Sequence, residues 1–168
     1  MAETQEHRSW LRLLCDLNAA IGGTVLLAMA GMTVVSVIGR AFFAHPILGD
    51  VELVQLGCAV VVSSFLPYTQ LHKANIIVDF FTQKASARSQ RLMDALGCAL
   101  YTLVMALIVW RVAVGAIDMR AAGERSMLMD LPLWWPYVLM LPGFALCVAI
   151  GAQQTLQLLK GGADGEAA

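Results

Sequence analysis

Apolar residues gather into four long stretches, at 17–39, 51–67, 92–114 and 134–151, separated by short segments that hold most of the charge. Each stretch is close to the ~20 residues an α-helix needs to cross a ~30 Å hydrocarbon core. Inside that core the backbone finds no water to bond, so each stretch is predicted to be a helix that satisfies itself. The pattern changes between spans two and three. There Ile76, Ile77, Phe80, Phe81 and Ala85 fall on one helical stripe, with Asn75, Asp79, Thr82, Gln83 and Ser86 on the other. This predicts an amphipathic helix over 75–85 lying in the membrane interface, its apolar side toward lipid or a partner subunit. Before span one, Trp10, Leu13, Leu14 and Leu17 recur at helical spacing, a lead-in with Trp10 at headgroup depth. The expected fold is an all-α integral membrane protein, one four-span domain over 1–168 with a cytoplasmic tail at 152–168.

Composition narrows the functional classes. Charged residues are 14% of the chain, against roughly 25% in soluble domains, and mean hydropathy is +0.71. A net charge of -1 gives no pull toward nucleic acid. Four spans in 168 residues leave no room for a soluble module. The first span is longer than a signal-peptide core and lacks a small-residue cleavage site, so it is expected to be retained. Cys15, Cys58, Cys98 and Cys147 show no CxxC spacing and read as small apolar residues. His7, His45 and His72 all lie outside the spans, where no pair could hold haem. With no HExxH, GxSxG or glycine-rich phosphate loop, the expectation is no enzyme, no cofactor and no metal site.

Positive charge sets the orientation. With the N-terminus in the cytoplasm, that side holds Arg8, Arg12, Lys73, Lys84, Arg88, Arg91 and Lys160, and the other holds Arg40, Arg111, Arg120 and Arg125. The excess favours both termini inside.

Polar residues near the spans are few. Arg40 closes span one and Glu52 opens span two at the same face, which suggests an ion pair across the short link; Gln55 continues a mildly polar face. Asp94 lies just inside span three, and Arg111 is read near its far end, where it can snorkel. No span carries an acid at mid-membrane, so the chain is not expected to hold a transport site of its own. Gly143, Cys147 and Gly151 form a ridge of small residues on span four, as do Ala20, Thr24 and Ala28 on span one; packing within the bundle is the simpler use of both. Between spans three and four, Arg120, Glu124, Arg125 and Asp130 surround Met127, Leu128 and Met129. Trp134 and Trp135 follow as interface anchors. The charged, methionine-bearing loop is a candidate contact surface or a solvated turn.

Three motifs in order carry a family resemblance. Residues 37–57 read VIGRAFFAHPILGDVELVQLG, with a Gly-Arg pair ending span one and Glu52 opening span two. Residues 66–81 read LPYTQLHKANIIVDFF, close to a His-Ile-x-Val-Asp pattern, with Asn75 where many relatives have His. Residues 126–146 read SMLMDLPLWWPYVLMLPGFAL, a Leu-Pro-x-Trp start to span four. Together, over about 17–155, they resemble the small, DctQ-like membrane subunit of tripartite ATP-independent periplasmic (TRAP) transporters. Gly49-Asp50 stands where many relatives have a Trp before the acid. The resemblance implies a multi-pass protein of the bacterial inner membrane. Its implied partners are a large, sodium-coupled elevator subunit that carries the solute site and a periplasmic solute-binding protein that delivers an organic acid. The small subunit would scaffold the former and help dock the latter. Alternatives are the small four-span subunit of a tripartite tricarboxylate transporter, and a self-assembling small exporter or channel. A haem-bearing membrane redox subunit is opposed by the histidine positions.

Overall fold

The computed structural model describes residues 2–43, 47–72 and 87–163. The amphipathic stretch expected at 75–85, with Asn75, Asp79, Phe80 and Phe81, lies outside the described residues. Among the described residues four helices follow one another: α1 (Ala2–Phe43), α2 (Asp50–Leu71), α3 (Ala87–Ala122) and α4 (Trp134–Ala163). All four are long and apolar enough to cross a membrane, and no strand occurs among the described residues. Their apolar runs make them helical, since only intrahelical bonding satisfies the backbone in hydrocarbon.

The helices alternate in direction and stand in a row rather than a square. α1 packs on α2, α2 on α4, and α4 on α3, while α1 only grazes α4. The inner pair, α2 and α4, is correspondingly more buried than the outer pair, and α3 is the least buried of all. The apolar core lies between α3 and α4, where Met105, Phe144 and Cys147 are enclosed by Leu66, Tyr101, Ile108 and Met140.

Small residues set the helix spacing. A Cβ on Gly143 would fall on the main-chain carbonyl of Ser63 in α2. That carbonyl is available because Pro67, four residues on and fully buried inside α2, has no N–H to offer it. The backbone of α4 therefore rests on an unclaimed carbonyl of α2, the close approach that small residues permit between membrane helices. Asn18 of α1 joins the same waist, its Nδ2 donating to the Ser64 carbonyl at 3.2 Å. Eight residues along α4, Gly151 sits against Thr102 and Tyr101 of α3, so the expected ridge serves two neighbours within the bundle. At the end where the chain enters α3, Gln70 Nε2 donates to Gln154 Oε1 at 2.8 Å, and Gln154 Nε2 donates to the Gln70 carbonyl at 3.1 Å.

The second ridge is a correction. Ala20, Thr24 and Ala28 are exposed. α1 instead turns Cys15, Asn18, Gly22 and Ser36 inward, and Gly22 meets the Ser64 side chain of α2. Small size allowed either face; the polar partners waiting on α2 chose this one. Among the cysteines, Cys15 and Cys147 are buried, whereas Cys58 is exposed.

Candidate functional site

The antiparallel course brings the C-termini of α1 and α3 and the N-termini of α2 and α4 to one end, where Ser36, Arg40, Asp50, Glu52, Arg120, Arg125 and Asp130 assemble. α3 stops in a Schellman motif: Gly123, at φ +65°, lets its own N–H reach the Arg120 carbonyl (3.3 Å) and that of Glu124 reach Met119 (3.3 Å). The chain then folds into a tight hairpin over 124–133. Ser126 N–H donates to the Leu131 carbonyl at 2.8 Å, and Leu133 N–H to the Glu124 carbonyl at 3.1 Å. Asp130, at φ +53°, turns the strand back, and its carboxylate receives Arg125 Nη1 at 2.6 Å. The tip is Met127-Leu128-Met129, with Met127 98% exposed.

The hairpin is fastened to α2. Glu52 Oε1 accepts the main-chain N–H groups of Met127 and Leu128, at 3.1 Å each. One residue before the helix, Gly49 takes φ +80°, and the side chain of Met129 occupies the space where any Cβ there would stand. Glycine is required twice over, by the left-handed backbone and by the methionine. Asp50 and Glu52, both in the first turn of α2, lie at the positive end of its dipole.

The ion pair expected between Arg40 and Glu52 is not formed. Arg40 approaches Asp50 instead, at 3.8 Å, and the same Asp50 Oδ2 accepts the hydroxyl of buried Ser36 at 2.6 Å. The physical reason is demand: two loop N–H groups without internal partners claim Glu52, leaving the acid nearest α1 for the arginine. Gly49, Asp50 and Ser36 were not among the site residues expected from sequence, though Gly49-Asp50 stood out as a departure from the family pattern. Gln55 faces outward from α2 with Val51, Cys58 and Val62.

Arg120 lies over the ring of Trp134, 5.3 Å from its centroid, and Trp135 is half-buried beside it in the first turn of α4. Arg120 and Arg125, singled out as candidate contact charges, are thus both engaged within the loop end: one with an aromatic ring, one with Asp130. What the hairpin presents outward is its apolar tip. Gly143 and Gly151, as described, are turned into the bundle. No group of His, Cys, Asp and Glu suited to a metal ion occurs among the described residues.

Neither a curated protein nor a solved structure matches the chain. A family model does, described as "Tripartite ATP-independent periplasmic transporters, DctQ component", and it matches residues 29–161. The matched region runs from the middle of α1 through the loop-end cluster and nearly all of α4, so the chain belongs to the DctQ family, the small membrane components of TRAP transporters.

Proposed function

We propose that this chain is the static small subunit of a sodium-coupled TRAP transporter for an organic acid, in the bacterial inner membrane. It holds the large elevator subunit in place and offers its loop end to the periplasmic solute-binding protein. The family match over 29–161 carries this reading. Two physical features support it. The row of helices has broad apolar flanks suited to extending a scaffold, and the described spans hold no acid at mid-depth that could serve as an ion or proton site. In the same reading both termini lie in the cytoplasm, by the positive-inside count.

At the loop end, the apolar tip of the hairpin is held out by Glu52. Met127 and Leu128 suit a transient protein contact, since methionine adapts its shape at low cost. With Arg125 and Arg120 already engaged, contact at this tip rests on shape and apolar area more than on free charge.

Reconstitution into vesicles tests the assignment. The large subunit, this chain and the binding protein encoded beside them should together give sodium-driven uptake of a small carboxylate that the binding protein retains. This chain alone should take up no more than empty vesicles, and uptake by it alone overturns the proposal. Within the full system, Glu52→Gln weakens the acceptor for two hairpin N–H groups. Hydrogen exchange at Met127 and Leu128 should accelerate, and uptake should fall at limiting binding protein and recover at saturation. Unchanged exchange removes Glu52 from this role.

A further inference from the structure

α3 runs eight residues beyond the predicted end of span three, to Ala122, and this changes the position of one charge. Arg111, expected near the far end of its span, lies well inside the helix. Its depth follows from rungs that tie α3 to α4. Arg120 is stacked on Trp134, Gly115 lies against Tyr137, and Thr102 lies against Gly151. Arg111 falls between the last two, about level with Pro142, one residue before the Gly143 that rests on Ser63. Ser63 is near the middle of the 22-residue α2. Counting from the Arg120–Trp134 rung, nine residues at about 1.5 Å each put Arg111 about 14 Å deeper. The arginine therefore lies well inside the apolar span Met93–Ala122, a turn toward the Trp134 end from its middle.

It is also exposed, on a helix whose one substantial neighbour is α4. Among the described residues nothing bonds it: the ion pairs present are Arg40–Asp50 and Arg125–Asp130. Snorkelling does not relieve it. A helical side chain leans toward the N-terminus of its helix, here away from the Trp134 interface, and the side chain is shorter than the depth it would have to climb. An arginine at this depth facing lipid is strongly unfavourable, and such groups are normally paired inside an assembly.

The partner cannot be a second copy of this chain. Asp16 and Asp94 lie toward the opposite end of the bundle, and Asp50, Glu52 and Asp118 lie near the Trp134 end; no acid of the described helices is level with Arg111. The stripe around it, Leu100, Val104, Leu107 and Arg111, is exposed along its length, apolar on the deep side of the charge. Building on the assembly proposed above, we propose that this stripe of α3 is the surface on which the large membrane subunit docks. That subunit meets Arg111 with a carboxylate at the same depth. The charge selects partner and register together, because only a helix with its acid at that level can cover the stripe without stranding the guanidinium.

The test uses the affinity-tagged chain co-expressed with its large subunit. A photo-crosslinking residue at position 107, with Arg111 intact, should form an adduct with the large subunit, and one at position 28 on the exposed face of α1 should not. Arg111→Leu and Arg111→Glu should lower recovery of the large subunit at least about tenfold, with Arg111→Lys retaining much of it. The membrane level of the Leu variant expressed alone should match or exceed wild type, because leucine inserts more readily than arginine. Loss of the complex is then not loss of insertion. Undiminished recovery with Arg111→Leu, or an adduct from position 28 in place of 107, overturns this surface while leaving the proposed function standing. Failure of the wild-type chain to retain the large subunit overturns both.

Discussion

The contact of Gly143 with the Ser63 carbonyl sets the distance between the two inner helices, and Gly143→Ala tests it directly. A Cβ there would fall on the carbonyl oxygen and lie 2.7 Å from the carbonyl carbon, well inside van der Waals contact. The obstacle is backbone, which cannot rotate aside, so α2 and α4 must separate. Overpacking of this kind costs about 1–3 kcal/mol. Against this, alanine improves helix propensity by up to about 1 kcal/mol. The net expectation is a loss of about 1–2 kcal/mol, or about five- to thirtyfold in the folding equilibrium. The assay is titration of the purified chain in mild detergent with a denaturing detergent, followed by circular dichroism and tryptophan fluorescence. Gly97→Ala is the control, since Gly97 is exposed with nothing within 4 Å of an added Cβ; it should be neutral or stabilising. If Gly143→Ala unfolds at the same point as Gly97→Ala, the helix spacing does not depend on this contact.

Two further substitutions probe the ends of the bundle. Gly49→Ala and Gly123→Ala both force a side chain into a left-handed backbone, at about 1–2 kcal/mol each, but only Gly49 has Met129 in the way. Gly49→Ala should therefore be the more destabilising in the same titration and should open the hairpin to limited proteolysis; equal effects would remove the methionine contact from the explanation. At the opposite end, Gln154→Leu removes the bonds between the Gln70 and Gln154 amides from one side only, while the double change to leucine removes both amides. The double variant should recover part of the single variant's loss, with a coupling of about 0.6 kcal/mol and no more than about 1.7; strict additivity would show that the two amides do not depend on each other.

Several features were legible in residue order because they depend on local composition. Apolar runs of membrane length force helices wherever they occur, so four helices and a membrane setting followed before any contact was known. The motifs at 37–57, 66–81 and 126–146 carried the family for the same reason, being contiguous in the chain. Partner choice was not legible, because it depends on which groups the fold leaves unsatisfied. Arg40 could have paired with Glu52 or Asp50; the hairpin, bringing two spare N–H groups from 75 residues away, took Glu52 and left Asp50 for the arginine. Gly143 read as one small residue in a ridge, and only the crossing of α4 over the carbonyl freed by Pro67 made it a point of backbone contact. The ridge on α1 had the right spacing and faces outward all the same. Arg111 shows the difference most clearly. The apolar run read from sequence ended at residue 114, yet helical bonding costs nothing extra at the interface, so α3 continues to Ala122. Depth in a membrane is a property of neighbouring helices in register, and the rungs to Trp134, Tyr137 and Gly151 put this charge well inside the span.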